Sequence, residues 1–154
     1  MAERDNRELA RRFYEEFWTR GNAAAADELI AEDLVHEQFP DGWPAGRDGF
    51  KRLVETWRAA FPDMRETVSQ MLVDGDWVAA RFTLAGTHRG DFYGIPPTGR
   101  RVTAQGVDLL RFSDGVIAEW VYFEDALGVF AQLGAQPPEL SDVAGPGQGR
   151  EGGA

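Results

Sequence analysis

The chain has no cysteine, which excludes disulfides, thiolate nucleophiles and cysteine-ligated metals together. It has only two histidines, His36 and His88, and two imidazoles without a cysteine argue against a dedicated zinc site, so no metal is expected. Lysine is nearly missing: Lys51 stands alone and every other basic side chain is arginine. Those arginines form no cluster, and acidic residues outnumber the basic ones to leave a formal charge of −10. A surface of that sign repels phosphate backbones and anionic lipid, so neither nucleic acid nor a membrane is an expected partner. No apolar run approaches the length of a membrane span. The N-terminal MAERDNRELARRF also lacks the apolar stretch of a secretion signal, so a cytoplasmic protein is expected. No internal repeat is visible.

What is present suits one compact unit. At 154 residues and 43% hydrophobic content the chain can build a single core but not two. From Gln136 onward the composition turns to Pro and Gly without periodicity. The expected organisation is a domain over 1–135 and a flexible tail over 136–154.

Leu9, Phe13 and Phe17, spaced by four, predict a helix over Asp5–Arg20, stopped by Gly21. A short helix over Ala24–Ala31 and a brief strand over Leu34–Phe39 follow. A third helix starts near Arg47, carries Phe50, Leu53, Val54, Trp57 and Phe61, and ends at Pro62. The period then changes from helical to extended, giving four strands over Met64–Val73, Trp77–His88, Arg100–Phe112 and Val116–Phe123. Asp74-Gly75 and Asp114-Gly115 mark two tight hairpins. Asp125 is placed to cap a closing helix over Ala126–Leu133, ended by Gly134. Helices first and a strand meander afterwards predict an α+β fold, a curved sheet wrapped on N-terminal helices, with side chains too few to fill the space between.

One residue breaks the pattern. In the third long strand Val102, Ala104, Gly106, Asp108, Leu110 and Phe112 share a face, and all are small or apolar except Asp108. A buried carboxylate must be paired, solvated or used. Burial would raise its pKa and suit it to proton transfer near neutral pH. Tyr122, on the face of Ala118 and Trp120 in the next strand, is placed to reach it, either as a catalytic partner or simply to satisfy it.

The layout and its motifs resemble the SnoaL-like polyketide cyclase family, within the cone-shaped nuclear-transport-factor-2-like superfamily. The carrying residues are GTHRGDFYGIPPTGRRV (Gly86 to Val102), DLLRFSDGVIAEW (Asp108 to Trp120) and FEDALGVFAQLGA (Phe123 to Ala135), supported by FPD (Phe61 to Asp63) and DLVHE (Asp33 to Glu37). The resemblance spans roughly residues 8 to 135 and implies a cone-shaped barrel that pairs with a second copy through the outer face of its sheet. Ile117, Val121 and Phe123 are read as part of that face. In the family an aspartate on the last strand and a histidine on the preceding strand serve as acid and base. Motif alignment puts Tyr122 and Asp108 in those two places.

His88 shares parity with Val78, Ala80, Phe82 and Leu84 and has two readings, a donor to a developing oxyanion or a brace for the loop beside it. His36 is read at the pocket mouth or as a loop cap. Trp43, Phe92 and Tyr93 sit on loops without a face to bury, which suits a pocket rim. Tyr14, Trp57 and Trp120 complete the candidate substrate-binding set. The leading expectation is a cofactor-free cyclase or isomerase for a small hydrophobic, carbonyl-bearing substrate, with Asp108, Tyr122 and His88 as its chemistry. An epoxide-opening enzyme would instead need an inward Arg81 or Arg111 beside Asp108. A non-catalytic binding protein would show a cavity filled by Trp57, Trp120 and Phe82, with every hydrogen-bonding position of Asp108 satisfied.

Overall fold

The computed structural model describes residues 2–135; the tail predicted over 136–154 lies outside the described residues. The chain opens with α1 (Ala2–Phe13), which runs straight into one π-helical turn, Tyr14–Thr19, closed by the bond from Arg20 N to Glu15 O at 2.9 Å. The wider turn keeps Tyr14, Phe17 and Trp18 buried together beside Phe13. The second helix is shorter than expected, a 3₁₀ turn at Ala23–Ala25 followed by α2 (Ala26–Leu29). Next come β1 (Ile30–Val35), α3 (Gly46–Ala60), the four long strands β2 (Arg65–Asp74), β3 (Trp77–Thr87), β4 (Arg101–Ser113) and β5 (Val116–Glu124), and α4 (Ala126–Leu133). Asp125 Oδ1 accepts from Gly128 N at 2.9 Å to start α4, and Gly134 ends it at a positive φ of 72°.

The sheet order is β1-β5-β4-β3-β2. β2 to β5 form an antiparallel meander, as predicted, but β1 pairs parallel to β5, so the sheet is mixed. β1 also begins four residues before the predicted strand: Ile30 and Leu34 supply the buried positions, and His36 already lies outside it. The concave face packs on α1, its π turn and α3, with Phe13, Phe17, Phe50, Trp18 and Trp120 forming a continuous aromatic cluster.

Two bulges change which residues face inward. In β5, Glu119 pairs with Arg111 and Ile117 with Phe112, leaving Ala118 unpaired. The extra residue shifts the alternation, so Ile117 is buried in the core rather than on the outer face expected of it. In β2, Val68 pairs with Phe82 and Gln70 with Arg81, leaving Ser69 unpaired. Strict alternation would put Glu66 and Met71 on opposite faces; the bulge lets both turn inward.

The predicted inward row of β4 is buried: Val102, Ala104, Asp108, Leu110 and Phe112. Gly106 sits in that row because Phe82 lies over it. A Cβ there would stand 2.3 Å from Phe82 Cζ and 2.7 Å from the Phe123 carbonyl oxygen. One of those neighbours is backbone and cannot swing away. Gly106→Ala is therefore expected to lose about 1–3 kcal/mol through overpacking and to melt several degrees lower in thermal denaturation. Thr103→Ala, on the exposed face of the same strand, is expected to stay within about 0.5 kcal/mol of the parent.

Candidate active site

Asp108 is only 2% exposed. Its Oδ2 accepts from the Tyr14 hydroxyl at 2.6 Å and its Oδ1 from Trp120 Nε1 at 2.8 Å. Tyr14 reaches in from the first residue of the π turn and Trp120 from the middle of β5. An indole N–H only donates, so Oδ1 is fixed as an acceptor, and any proton on Asp108 must sit on Oδ2. Tyr122, the direct cross-strand partner of Asp108, is not one of its hydrogen-bond partners. That role is filled by Tyr14 and Trp120, both expected only to line the site.

Asp108 faces a narrow cavity walled by Trp18, Leu53, Trp57, Phe82, Leu84 and Trp120, with Tyr122, Glu66 and Glu124 completing it. The enclosed volume is about 20 Å³, room for about one water molecule. The roomy interior expected from the sequence is instead closed down by aromatic rings. Three carboxyls, not one, meet this space. Glu124 shares strand parity with Trp120 and Tyr122, and Glu66 with Met64 and Val68. Those are the sequence signals that could have found them.

Three carboxylates cannot all ionise in an apolar cavity. Burial pushes Asp108 up to about 6, against the pull of Tyr14 and Trp120. Burial, then the charge of Asp108, pushes Glu124 up to about 7. Burial, then Asp108 and Glu124, holds Glu66 well above the ordinary carboxylate range. Of the three, Asp108 ionises more readily than Glu124, and Glu66 is pushed toward its neutral form. Burial also raises the phenols of Tyr14 and Tyr122, with help from Asp108 and Glu124 respectively, so both remain donors. Among the described residues, no three acids or histidines converge into a group that could hold a metal ion.

The other candidates fall into two groups. Trp57 and Trp120 line the cavity. His36 stacks on Trp120 (ring centroids 4.4 Å apart, planes 14° apart) and donates from Nδ1 to the Trp120 carbonyl oxygen at 2.8 Å. Burial lowers its pKa, so it is neutral and orders the back of Trp120. His88 lies elsewhere: Thr98 N donates to its Nδ1 at 3.2 Å, across the base of the β3–β4 loop, and it is not among the cavity-lining residues. Phe92 is buried against Trp57 and Phe61. A tight turn holds it, bonded in both directions between Phe92 and Ile95, with Tyr93 and Gly94 at positive φ of 48° and 81°. Tyr93 is largely exposed and is not among the cavity-lining residues. Trp43 lies under the Arg52 guanidinium at 4.7 Å and beside Phe39, away from the cavity. Arg81 and Arg111 point outward, to Gln105 at 2.9 Å and Glu119 at 3.0 Å.

With this geometry in hand, comparison with known proteins gives a consistent result. The family description "SnoaL-like polyketide cyclase" matches residues 8–133. Nogalonic acid methyl ester cyclase of Streptomyces nogalater is 32% identical over 77% of this chain and 90% of its own length. Aklanonic acid methyl ester cyclase DauD of Streptomyces sp. strain C5 is 30% identical over 85% of this chain and 83% of its own length. Among solved structures, TsrD of Streptomyces laurentii superposes with a TM-score of 0.78 at 26% identity, covering 86% of this chain and 96% of that one. IdmH of Streptomyces antibioticus superposes with a TM-score of 0.73 at 34% identity, covering 84% and 99%.

The shared protons give stability a defined pH dependence. Asp108 and Glu124 have folded pKa values above the unfolded value of about 4. Their contribution is complete below that value and is lost as pH rises through about 6 and 7. Asp63, lowered by its bonds from Thr87, and Asp27, lowered by Lys51, act only near and below about pH 4. His36 acts in the opposite sense below its unfolded pKa of about 6.5. Melting temperature is expected to fall between pH 6.5 and pH 8, and Glu124→Gln to flatten that fall. A wild-type slope in the variant would show that Glu124 ionises freely in the fold.

Proposed function

The chain belongs to the SnoaL-like polyketide cyclase family, and on that premise we propose that it closes a ring in a hydrophobic, carbonyl-bearing substrate of polyketide type by cofactor-free acid/base catalysis. The observation that carries this reading is the Asp108 carboxylate, held between Tyr14 and Trp120 in an apolar cavity and pushed up to about 6. A base with that pKa is ionised at neutral pH yet strong enough to take an acidic proton beside a carbonyl. Tyr14 and Trp120 fix its orientation. Tyr122, at the next cross-strand position, is placed to donate a hydrogen bond to the oxyanion that develops. Trp57, Phe82 and Trp18 are flat apolar walls suited to hold the substrate folded for closure once they part around it, since the space between them takes about one water as it stands. His88 is assigned to loop bracing rather than to the chemistry. The two relatives named above are cyclases of nogalonic and aklanonic acid methyl esters, which makes those esters the first substrates to test.

A second reading, a non-catalytic small-molecule-binding protein, is favoured by the narrowness of the cavity and by the engagement of both Asp108 oxygens. The epoxide-opening alternative lacks its arginine, because Arg81 and Arg111 are bound on the outer face.

The outer face of the sheet carries the cross-strand pairs Val107–Phe123 and Leu109–Val121, and Phe123 is 69% exposed. An apolar face of this kind supports a homodimer formed sheet to sheet. Among the described residues no helix is long and apolar enough to cross a membrane, which is compatible with the proposed cytoplasmic location.

Asp108→Asn keeps the shape and removes the base. With nogalonic or aklanonic acid methyl ester as substrate, turnover is expected to drop by roughly 10²–10⁴ with the melting curve still cooperative. Near-wild-type turnover in that variant would remove Asp108 from the mechanism, and an inert wild type would favour the binding reading. Light scattering at micromolar concentration is expected to give twice the chain mass; a monomer would contradict the dimer.

A further inference from the structure

We propose that Glu66 is the proton donor of the cavity, reloaded from solvent through the groove on the opposite side of the same wall. This rests on the reading of Asp108 as the base. Glu66 borders two separate spaces. It lines the inner cavity with Asp108, and it also lines an open groove on the far side, with Arg11, Tyr14, Glu15, Thr19 and Arg65. Glu66 is common to the two linings, and Tyr14 on the groove side bonds Asp108 on the cavity side. Glu66 Oε2 is sealed from solvent and has no hydrogen-bond partner, so no internal acceptor competes for a proton carried there.

Ring closure needs such a group. When Asp108 takes the acidic proton, the C–H bond breaks and its electron pair becomes the enolate. The enolate carbon then bonds to the acceptor carbonyl carbon, and the C=O π pair moves onto oxygen as an alkoxide. Transfer of the Glu66 proton to that oxygen completes a neutral product, leaving Asp108 protonated and Glu66 ionised. The product carries as many protons as the substrate, and no oxidant or cofactor enters. Glu66 rather than Tyr122 is assigned this step because a carboxylic acid is the stronger acid and burial raises the phenol further; Tyr122 shares a hydrogen bond with the oxygen. Burial and the charges of Asp108 and Glu124 push Glu66 toward its protonated form. Glu66 pairs with Leu84 and Asp108 with Ala80, so donor and base stand two strands apart across the sheet, with β3 between them, and are offset along β3 from Leu84 to Ala80. Proton removal and proton delivery are then addressed to different atoms of one folded chain. The groups around Glu66 are Asp108, Glu124 and Tyr122 from the cavity and Arg11, Tyr14, Glu15 and Arg65 from the groove. Reloading through the groove lets Glu66 regain its proton while product still fills the cavity.

The test uses nogalonic acid methyl ester in D₂O, with ring closure and deuterium uptake at the acidic carbon followed by mass spectrometry above the buffer rate. Glu66→Gln is expected to close the ring roughly 10²-fold more slowly while exchanging that proton at the wild-type rate. Glu66→Asp, which keeps an acid, is expected to restore much of the closure. Asp108→Asn should lose both. Infrared spectroscopy at pH 7 should show protonated-carboxyl C=O absorption that Glu66→Gln reduces, the remainder belonging to Glu124. Closure by Glu66→Gln within about threefold of wild type would overturn the proposal and leave Asp108 as the base. Loss of exchange together with closure in Glu66→Gln would reduce Glu66 to a structural role. A wild type that neither exchanges nor closes this ester would overturn both readings.

Discussion

The position of one buried carboxylate organises the rest of this structure. Asp108 has almost no contact with solvent, so its charge is tolerable only while donors hold it. The two donors come from different layers, Tyr14 from the helical side and Trp120 from the neighbouring strand. The three-way bond therefore fixes how the N-terminal helix sits on the sheet. Removing either donor would leave part of the charge unpaired in a low-dielectric space, a loss of several kcal/mol for a buried charged pair. The one carboxylate held by both layers thus aligns the walls of the cavity it borders.

Much of the fold was legible in the sequence because strands and hairpins announce themselves locally. The Asp-Gly pair at 114–115, the four extended runs and the Asp125 cap all depend on a few neighbouring residues, and the structure follows them. Asp108 stood out for the same reason, as one charged residue in an apolar row. The parts that were missed depend on pairing. β1 lies parallel to β5, a contact no local pattern encodes. The bulges at Ala118 and Ser69 insert one residue each and reverse the alternation beyond them, which is why Ile117 faces the core and Glu66 shares a face with Met71. Tyr14 is separated from Asp108 by 94 positions, so their bond could be read only once helix and sheet were in place. The cavity's small volume is likewise a matter of ring orientation, such as Phe82 lying over Gly106.

Asp108 and Tyr122 are direct cross-strand neighbours on β4 and β5, a carboxyl beside a hydrogen-bonding phenol. Glu66 and Glu124 add carboxyls to the cavity that Asp108 already borders. The result is a small acidic cluster in which burial and the charge of Asp108 raise the pKa of Glu66 and Glu124, and among the described residues no arginine lines the space they share.

The π turn at Tyr14–Thr19 has a consequence for engineering. It holds one residue more than ordinary helical winding would need before the chain turns at Gly21. Deleting a single codon there would restore regular winding and leave the side chains after the cut close to their present bearing, because the wide turn already absorbs the extra residue. Tyr14 would keep its grip on Asp108 and Trp18 its place in the cavity wall. The turn is thus a point where the length of the chain, rather than its side chains, can change and leave the pocket and its charge in place.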